Sequence, residues 1–267
     1  MKIGFIGAGN MGGAILKGYA PAAEQKGDTI FVYNRTEETR KALEREFSAV
    51  KACSSEKELV QNSDVVILGV KPNVFSELLP QIAPFCTPEK IIVSMAAGIS
   101  LSFLEEHLGK EQKLIRIMPN TPAQVGEAMV AVCRNSKVED ASFKRIMEIF
   151  EAIGKAEETD EELIHCVIGV SGSSPAYTYM YIDALIQAAA DNGMPQKQAK
   201  VFAAQSVLGA AKMVLENDSS VEQLRINVCS PGGTTIEAVN RLFANGFEEN
   251  VKEAFQAAVD KSKAMTK

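Results

Sequence analysis

The sequence has no tryptophan, two histidines (His107 and His165) and five cysteines, none of them in a C-x-x-C pair. So few histidines leave no histidine cluster for a metal, and none is expected. Cys53, Cys86, Cys133, Cys166 and Cys229 are too scattered for a disulfide framework or a zinc site. They are expected to be buried, reduced thiols in a cytoplasmic protein. Positive charge is also scarce. The chain carries 28 Lys and Arg against 34 Asp and Glu, a formal charge of −6, and no basic cluster. That balance argues against nucleic acid as a partner. No apolar run approaches the ~18 residues of a membrane span, so no membrane partner is expected. The opening MKIGFIGAGNMGG is short, broken by glycines and not followed by a cleavage pattern, which argues against a secretory signal.

What remains is an ordinary globular composition, 46% hydrophobic and 23% charged over 267 residues. Short β-rich runs alternate with amphipathic stretches. Strands are expected at Lys2 to Ile6, Thr29 to Asn34, Asp64 to Val70, Lys90 to Met95, Lys113 to Met118 and Ala128 to Cys133. DVVILGV and KIIVSM are continuously apolar, as strands buried on both faces are. Helices are expected at Asn10 to Lys26 and Glu37 to Phe47 between them. The alternation argues an α/β fold, a doubly wound and mostly parallel sheet of the Rossmann type. After Thr159 the β-branched runs stop and alanine becomes abundant. Ser174 to Gly193, Gln196 to Glu216 and Phe247 to Lys263 have helical period. The division expected is residues 1–159 for the sheet domain and 160–267 for an all-helical domain. Small residues in these helices would permit close packing, in an interlocked dimer or in a monomeric bundle. The acidic run from Glu157 to Glu162 reads as a solvated helix start.

G-x-G-x-x-G occurs as Gly7, Gly9 and Gly12, between a strand and a helix. In that context it is a dinucleotide signature: a tight turn, an approach for the pyrophosphate and close helix packing. Ile6, Ala8, Asn10 and Met11 complete the loop. The second strand ends in Asn34-Arg35-Thr36 where NAD-binding sites place a carboxylate. A carboxylate repels a 2′-phosphate, whereas Asn and Arg accept one, so NADPH is expected over NADH. Gly69-Val70-Lys71-Pro72 and Met95-Ala96-Ala97-Gly98 follow the next strands, and the small residues leave room for a nicotinamide ring. Asn120, in MPNTPA, stands on the same rim.

These pieces, with SGSSPAY (Ser171 to Tyr177) and SPGGTT (Ser230 to Thr235), run in order along nearly the whole chain, and together they resemble the pyrroline-5-carboxylate reductases. The resemblance implies a Rossmann domain, a helical dimerisation domain, and reduction of the C=N bond of 1-pyrroline-5-carboxylate by NAD(P)H to give L-proline. It implies a homodimer that assembles into a larger ring such as a decamer. It places the nicotinamide near Val70, Lys71, Ala96 and Ala97. The substrate is placed against Lys71, Ala97, Ser230, Gly233, Thr234 and Thr235, with its carboxylate at Ser230, Thr234 and Thr235 and Asn227 nearby. Two departures stand out: Cys229 where Ser or Thr is common, and Glu56 where a neutral residue often supports the adenosine phosphate.

On this reading SPGGTT is a second anion cradle, with Pro231 in the first turn of a helix and Gly232 and Gly233 letting the backbone approach. Thr235 is the candidate to hydrogen-bond the ring nitrogen. A β-hydroxyacid dehydrogenase shares the two-domain plan, but it relies on a lysine, and Gly169 to Leu185 contains none. A non-catalytic NADPH sensor would keep the first glycine loop without reason to keep SPGGTT and MPNTPA.

Overall fold

The structure is a computed structural model and describes residues 1–266. In chain order the first half runs β1 (Lys2–Ile6), α1 (Asn10–Lys26), β2 (Thr29–Tyr33), α2 (Glu37–Glu46), β3 (Val50–Ala52), α3 (Glu56–Asn62), β4 (Val65–Leu68), α4 (Phe75–Ile82), β5 (Ile91–Ser94), α5 (Leu101–Leu108), β6 (Lys113–Met118), β7 (Ala128–Arg134), α6 (Asp140–Glu151), β8 (Gly154–Glu158) and a short α7 (Ile164–Val167). Five residues of π-helix, Ile168–Gly172, follow. Then come α8 (Ser174–Asp191), α9 (Gln196–Glu216), α10 (Val221–Val228), α11 (Thr234–Ala244) and α12 (Phe247–Met265).

The strands form one sheet in the order β3-β2-β1-β4-β5-β6-β7-β8. All neighbours are parallel except β6 and β7. Strand order reverses between β1 and β4, the place where such sheets open a crevice at the carboxyl ends of the strands. One core packs on each face. Ile3, Phe5, Ile67 and Val93 meet α1 and α6 on one side. Ile6, Val66, Leu68 and Ile92 meet α3, α4 and α5 on the other. That two-sided burial is why β4 is apolar throughout and β5 is apolar up to Ser94. Helix ends follow local chemistry. Gly27, with φ +70°, stops α1 as a left-handed cap. Ser55 caps α3 by accepting from Glu58 N–H.

Two strands escaped the sequence reading. β3 is three residues long, and β8 reads GKAEE. The acidic run is therefore not a helix start: Glu157 and Glu158 end β8. Glu161 begins a 3-10 turn and pairs with buried Arg116 at 2.7 Å. The cysteines also divide. Cys53 and Cys133 are buried, and burial pushes the Cys133 thiol up to about 12, but Cys166 is exposed.

The chain divides into two compact units, Met1–Ser173 together with the residues from Ala258 on, and Ser174–Ala257. In the second unit α8 packs against α9. Within this single chain α8 has no buried residue, and Met180 is 73% exposed. Val201, Phe202 and Leu215 are exposed on α9. An apolar surface this extensive needs a partner.

Candidate active site

Gly7 sits where β1 gives way to the loop, with φ +93°. A Cβ on Gly7 would lie 2.8 Å from the Gly69 carbonyl oxygen, and one on Gly12 or Gly69 would lie 2.3 Å from the Gly7 oxygen. Gly7, Gly12 and Gly69 therefore bring β1, β4 and α1 together at the switch point with no space for side chains. Gly9 differs, since a Cβ there meets nothing within 4 Å. Helix α1 opens at Gly9 without a side-chain cap and without an acidic residue in its first turn. Its first N–H groups are thus available to an anion. A cavity of about 990 Å³ begins at Ala8, Gly9, Asn10 and Thr36 and runs along α1 to Lys17 and Gly18. A bare glycine, uncapped amides and this volume fit a dinucleotide phosphate.

Ile6 is buried at the end of β1, and Met11 is half-buried behind the loop. At the end of β2, Asn34 is half-buried while Arg35 and Thr36 are exposed. Arg40 was missed by the sequence reading. Its side chain points back along α2, donates from Nη1 to the Asn34 carbonyl at 2.9 Å, and lies over the Tyr33 ring. Glu37 is the nearby acid, and a hydrogen bond from Lys41 and that residue's charge hold its carboxyl below the usual range. The signal for Arg40 is a cation one turn into the helix that follows β2.

Beyond β4, Gly69 and Val70 are half-buried, Lys71 is exposed, and Pro72 starts a 3-10 turn. Beyond β5, Met95 is half-buried and Ala96, Gly98, Ile99 and Ser100 are buried, leaving Ala97 exposed. Asn120 is 9% exposed, and its amide is engaged at both ends. Oδ1 accepts from Met129 N–H at 2.9 Å and Nδ2 donates to the Ser171 carbonyl at 3.1 Å. That pairing ties MPNTPA to the SGSS segment. All of these residues lie at the carboxyl ends of β1, β2, β4, β5 and β6.

In the second unit, Ser230 to Gly233 form a tight turn. Gly233 N–H donates to the Ser230 carbonyl at 3.0 Å, and Gly232 has φ +70°. Proline then glycine at the central positions is the type II pattern. Pro231 is therefore in the turn, not in the first turn of α11, which starts at Thr234 with Gly233 as its uncapped N-cap. Gly232 is the residue whose backbone demands glycine. Thr234 is exposed and Thr235 half-buried. Asn227 is exposed and accepts from Gln223 Nε2 at 2.8 Å.

The chain is similar over its whole length to characterised proteins. It is 43% identical over 266 residues to the pyrroline-5-carboxylate reductase of Escherichia coli strain K12, covering 100% of this chain and 98% of that one. The chain belongs to the pyrroline-5-carboxylate reductase family. The family described as pyrroline-5-carboxylate reductase dimerisation matches residues 161–265, and the one described as coenzyme F420-dependent NADP oxidoreductase matches residues 2–98. Among solved structures, the pyrroline carboxylate reductase of Plasmodium falciparum with NADP bound superposes with a TM-score of 0.89 at 33% identity, covering 100% of this chain and 98% of that one. The reductase of Coxiella burnetii does so with 0.92 at 32%, covering 99% and 98%. These matches bear out the Rossmann and helical dimerisation architecture, and the exposed α8 and α9 surface belongs to the dimerisation region.

Proposed function

We propose that this protein reduces the C=N bond of 1-pyrroline-5-carboxylate with NADPH, and more weakly with NADH, to give L-proline. The observation that carries the reading is the full-length similarity to reductases of that name, through both units of the chain. NADPH, when bound, supplies the hydride. The amides opening α1 at Asn10, Met11 and Gly12 hold its phosphates, and Gly9 lets them approach. Asn34, Arg35 and Thr36 hold the 2′-phosphate, with Arg40 behind them. Val70, Lys71, Pro72, Met95, Ala96 and Ala97 bound the nicotinamide on the sheet side, and Asn120 fixes the loop beside it.

The turn at Ser230, the amides opening α11, and the Thr234 and Thr235 hydroxyls take the substrate carboxylate, with Gly233 leaving space and Asn227 at the margin. The imine carbon gains a hydride and the ring nitrogen carries its own proton, so the site needs orientation more than a strong acid. Thr235 provides that orientation by hydrogen-bonding the nitrogen. The domain division that goes with this chemistry is 1–159 for cofactor and 160–267 for dimerisation and substrate. The protein works in the cytoplasm as a homodimer that builds a larger ring such as a decamer. A single-chain mass by light scattering would overturn the dimer.

The decisive assay follows NADPH oxidation with pyrroline-5-carboxylate, a six-membered cyclic imine and a hydroxyacid in parallel. Proline formation from the first supports the reading, and turnover of the hydroxyacid alone overturns it. Arg35→Ala is expected to lower kcat/KM with NADPH about tenfold while leaving NADH kinetics unchanged, the loss of one charge-assisted phosphate contact. A preference for NADH that survives Arg35→Ala would remove the 2′-phosphate assignment. Thr235→Val is expected to lower kcat/KM about tenfold, the value of one hydrogen bond made in the transition state. Parent-level kcat/KM in that variant rules the role out.

A further inference from the structure

The turn that carries Ala97 is held at its entry, its exit and Gly98 by residues the proposed chemistry does not use. It runs from Ala96 to Ile99, closed by Ile99 N–H donating to the Ala96 carbonyl at 3.4 Å, with Gly98 at φ +78°. On its entry side, Ala96 N–H donates to Ser94 Oγ at 3.3 Å. On its exit side, Leu101 N–H, the first of α5, donates to Glu161 Oε1 at 2.8 Å. The same carboxylate oxygen accepts from Arg116 Nη1 at 2.7 Å. Arg116 lies beside Ser94 in the sheet register, and its side chain is 2% exposed. Its Nε and Nη2 have no hydrogen-bond partner among the described residues. A guanidinium buried in a strand on one ion pair is a costly choice where an apolar side chain would pack. What the pair does here is fix a carboxylate at the start of α5.

The outer face of the turn is closed from far along the chain. A Cβ on Gly98 would lie 2.6 Å from the Met265 carbonyl oxygen, at the last residue of α12. Near it Ser262, also buried, is hydrogen-bonded to His165 Nδ1 at 2.8 Å. Burial, with the charges of Arg116 and Lys263, keeps His165 below its ordinary pKa. The result is a turn held at its entry, at its exit and at Gly98, in which Ala97 is the exposed residue.

We propose that Arg116, Glu161 and the final turn of α12 are positioning residues for hydride transfer, holding the Ala96–Ile99 turn as a rigid seat for the nicotinamide. The proposal rests on the reading that this turn faces the nicotinamide. A seat that shifts by about 1 Å costs up to 10²-fold in rate without removing any group that touches the reactants.

The test uses the full chain with Glu161→Gln, Gly98→Ala and Ser262→Ala, assayed with NADPH and with NADPH deuterated at the transferred position. Glu161→Gln and Gly98→Ala are expected to lower kcat about tenfold and to raise the deuterium isotope effect on kcat about twofold, as misplacement makes hydride transfer rate-limiting. Ser262→Ala is expected to move both in the same direction by less. The isotope effect is a ratio and does not depend on how much of a variant folds. In the protein without cofactor, amide exchange across residues 96–101 is expected to speed up in Glu161→Gln. Ala97→Leu is run beside them. If it abolishes turnover while the other variants keep the parent kcat, isotope effect and exchange, the positioning role is wrong and the placement of the nicotinamide stands. If Ala97→Leu turns over like the parent, the turn does not face the nicotinamide and the proposal falls with that reading.

Discussion

Gly9→Ala is expected to leave the melting temperature unchanged and to raise KM for NADPH about tenfold or more, whereas Gly12→Ala is expected to lower the melting temperature and abolish cofactor binding together. Both substitutions add one methyl group to the same loop, but they meet different surroundings. At Gly12 the new carbon would lie 2.3 Å from the Gly7 oxygen. The atom it strikes is backbone, held by Gly7 N–H donating to the Tyr33 carbonyl. Either α1 or the end of β1 must move, and overpacking of that kind costs about 1–3 kcal/mol even where side chains can yield. At Gly9 an added Cβ would meet no atom within 4 Å beyond its chain neighbours, so the folded chain has nothing to lose. Only a ligand lying against the α1 amides would meet that methyl. Calorimetry on the two variants without cofactor, followed by titration with NADPH, separates the cases. A fall in melting temperature for Gly9→Ala, or unchanged NADPH affinity, would contradict the assignment of that surface to the phosphates.

The second large effect concerns stability. Asp28, whose side chain is 1% exposed, accepts from the Met1 amine, from Tyr19 Oη at 2.6 Å and from Arg145 Nη2 at 3.0 Å. Asp28→Ala leaves a buried phenol and a half-buried ammonium without their acceptor, a loss of about 3–5 kcal/mol by analogy with other buried pairs. The melting temperature is expected to fall by about 10 °C. The network also sets an acid limit. Burial acts to raise the Asp28 carboxyl, but hydrogen bonds from the amine and from Tyr19, with the charges of the amine and Arg145, bring it below its ordinary value. A lowered carboxylate pKa contributes stability that is complete at neutral pH and is lost as the pH falls below about 4. Unfolding curves at pH 7 and pH 3 should therefore differ more for the parent than for Asp28→Ala. Equal pH dependence in the two would assign the acid sensitivity elsewhere.

Much of this was legible because the physics was local. A glycine loop between an apolar strand and an amphipathic helix can be recognised from adjacent residues, and β1, α1, β6 and α9 fall where the pattern puts them. DVVILGV and KIIVSM announced strands covered on both faces. The misses at β8 and at Arg116 with Glu161 share one cause, which is that the deciding partner is far along the chain. GKAEE becomes a strand only because β7 is there to pair with it. Arg116 stands inside KLIRIM, a run that reads simply as a strand, and its partner Glu161 is 45 residues away. Glu161 in turn looked like one acid among several. SPGGTT in sequence suggests a helix with Pro231 in its first turn, and the structure puts Pro231 in a turn before that helix, because Pro-Gly at the centre of a type II turn and Pro at a helix start look alike until the Gly232 φ angle is known.

The packing of α12 has a consequence for the chain as a linear object. The residues from Ala258 on belong with the sheet, while the stretch before them belongs with the helical unit. In connectivity the helical unit is an insertion, and the unit that holds the sheet is assembled from two separate stretches of the sequence. A fragment ending at Ser173 would lack Met265, whose carbonyl lies against Gly98, and a synthetic peptide spanning residues 258–266 should bind that fragment and slow its amide exchange across Ala96 to Leu101.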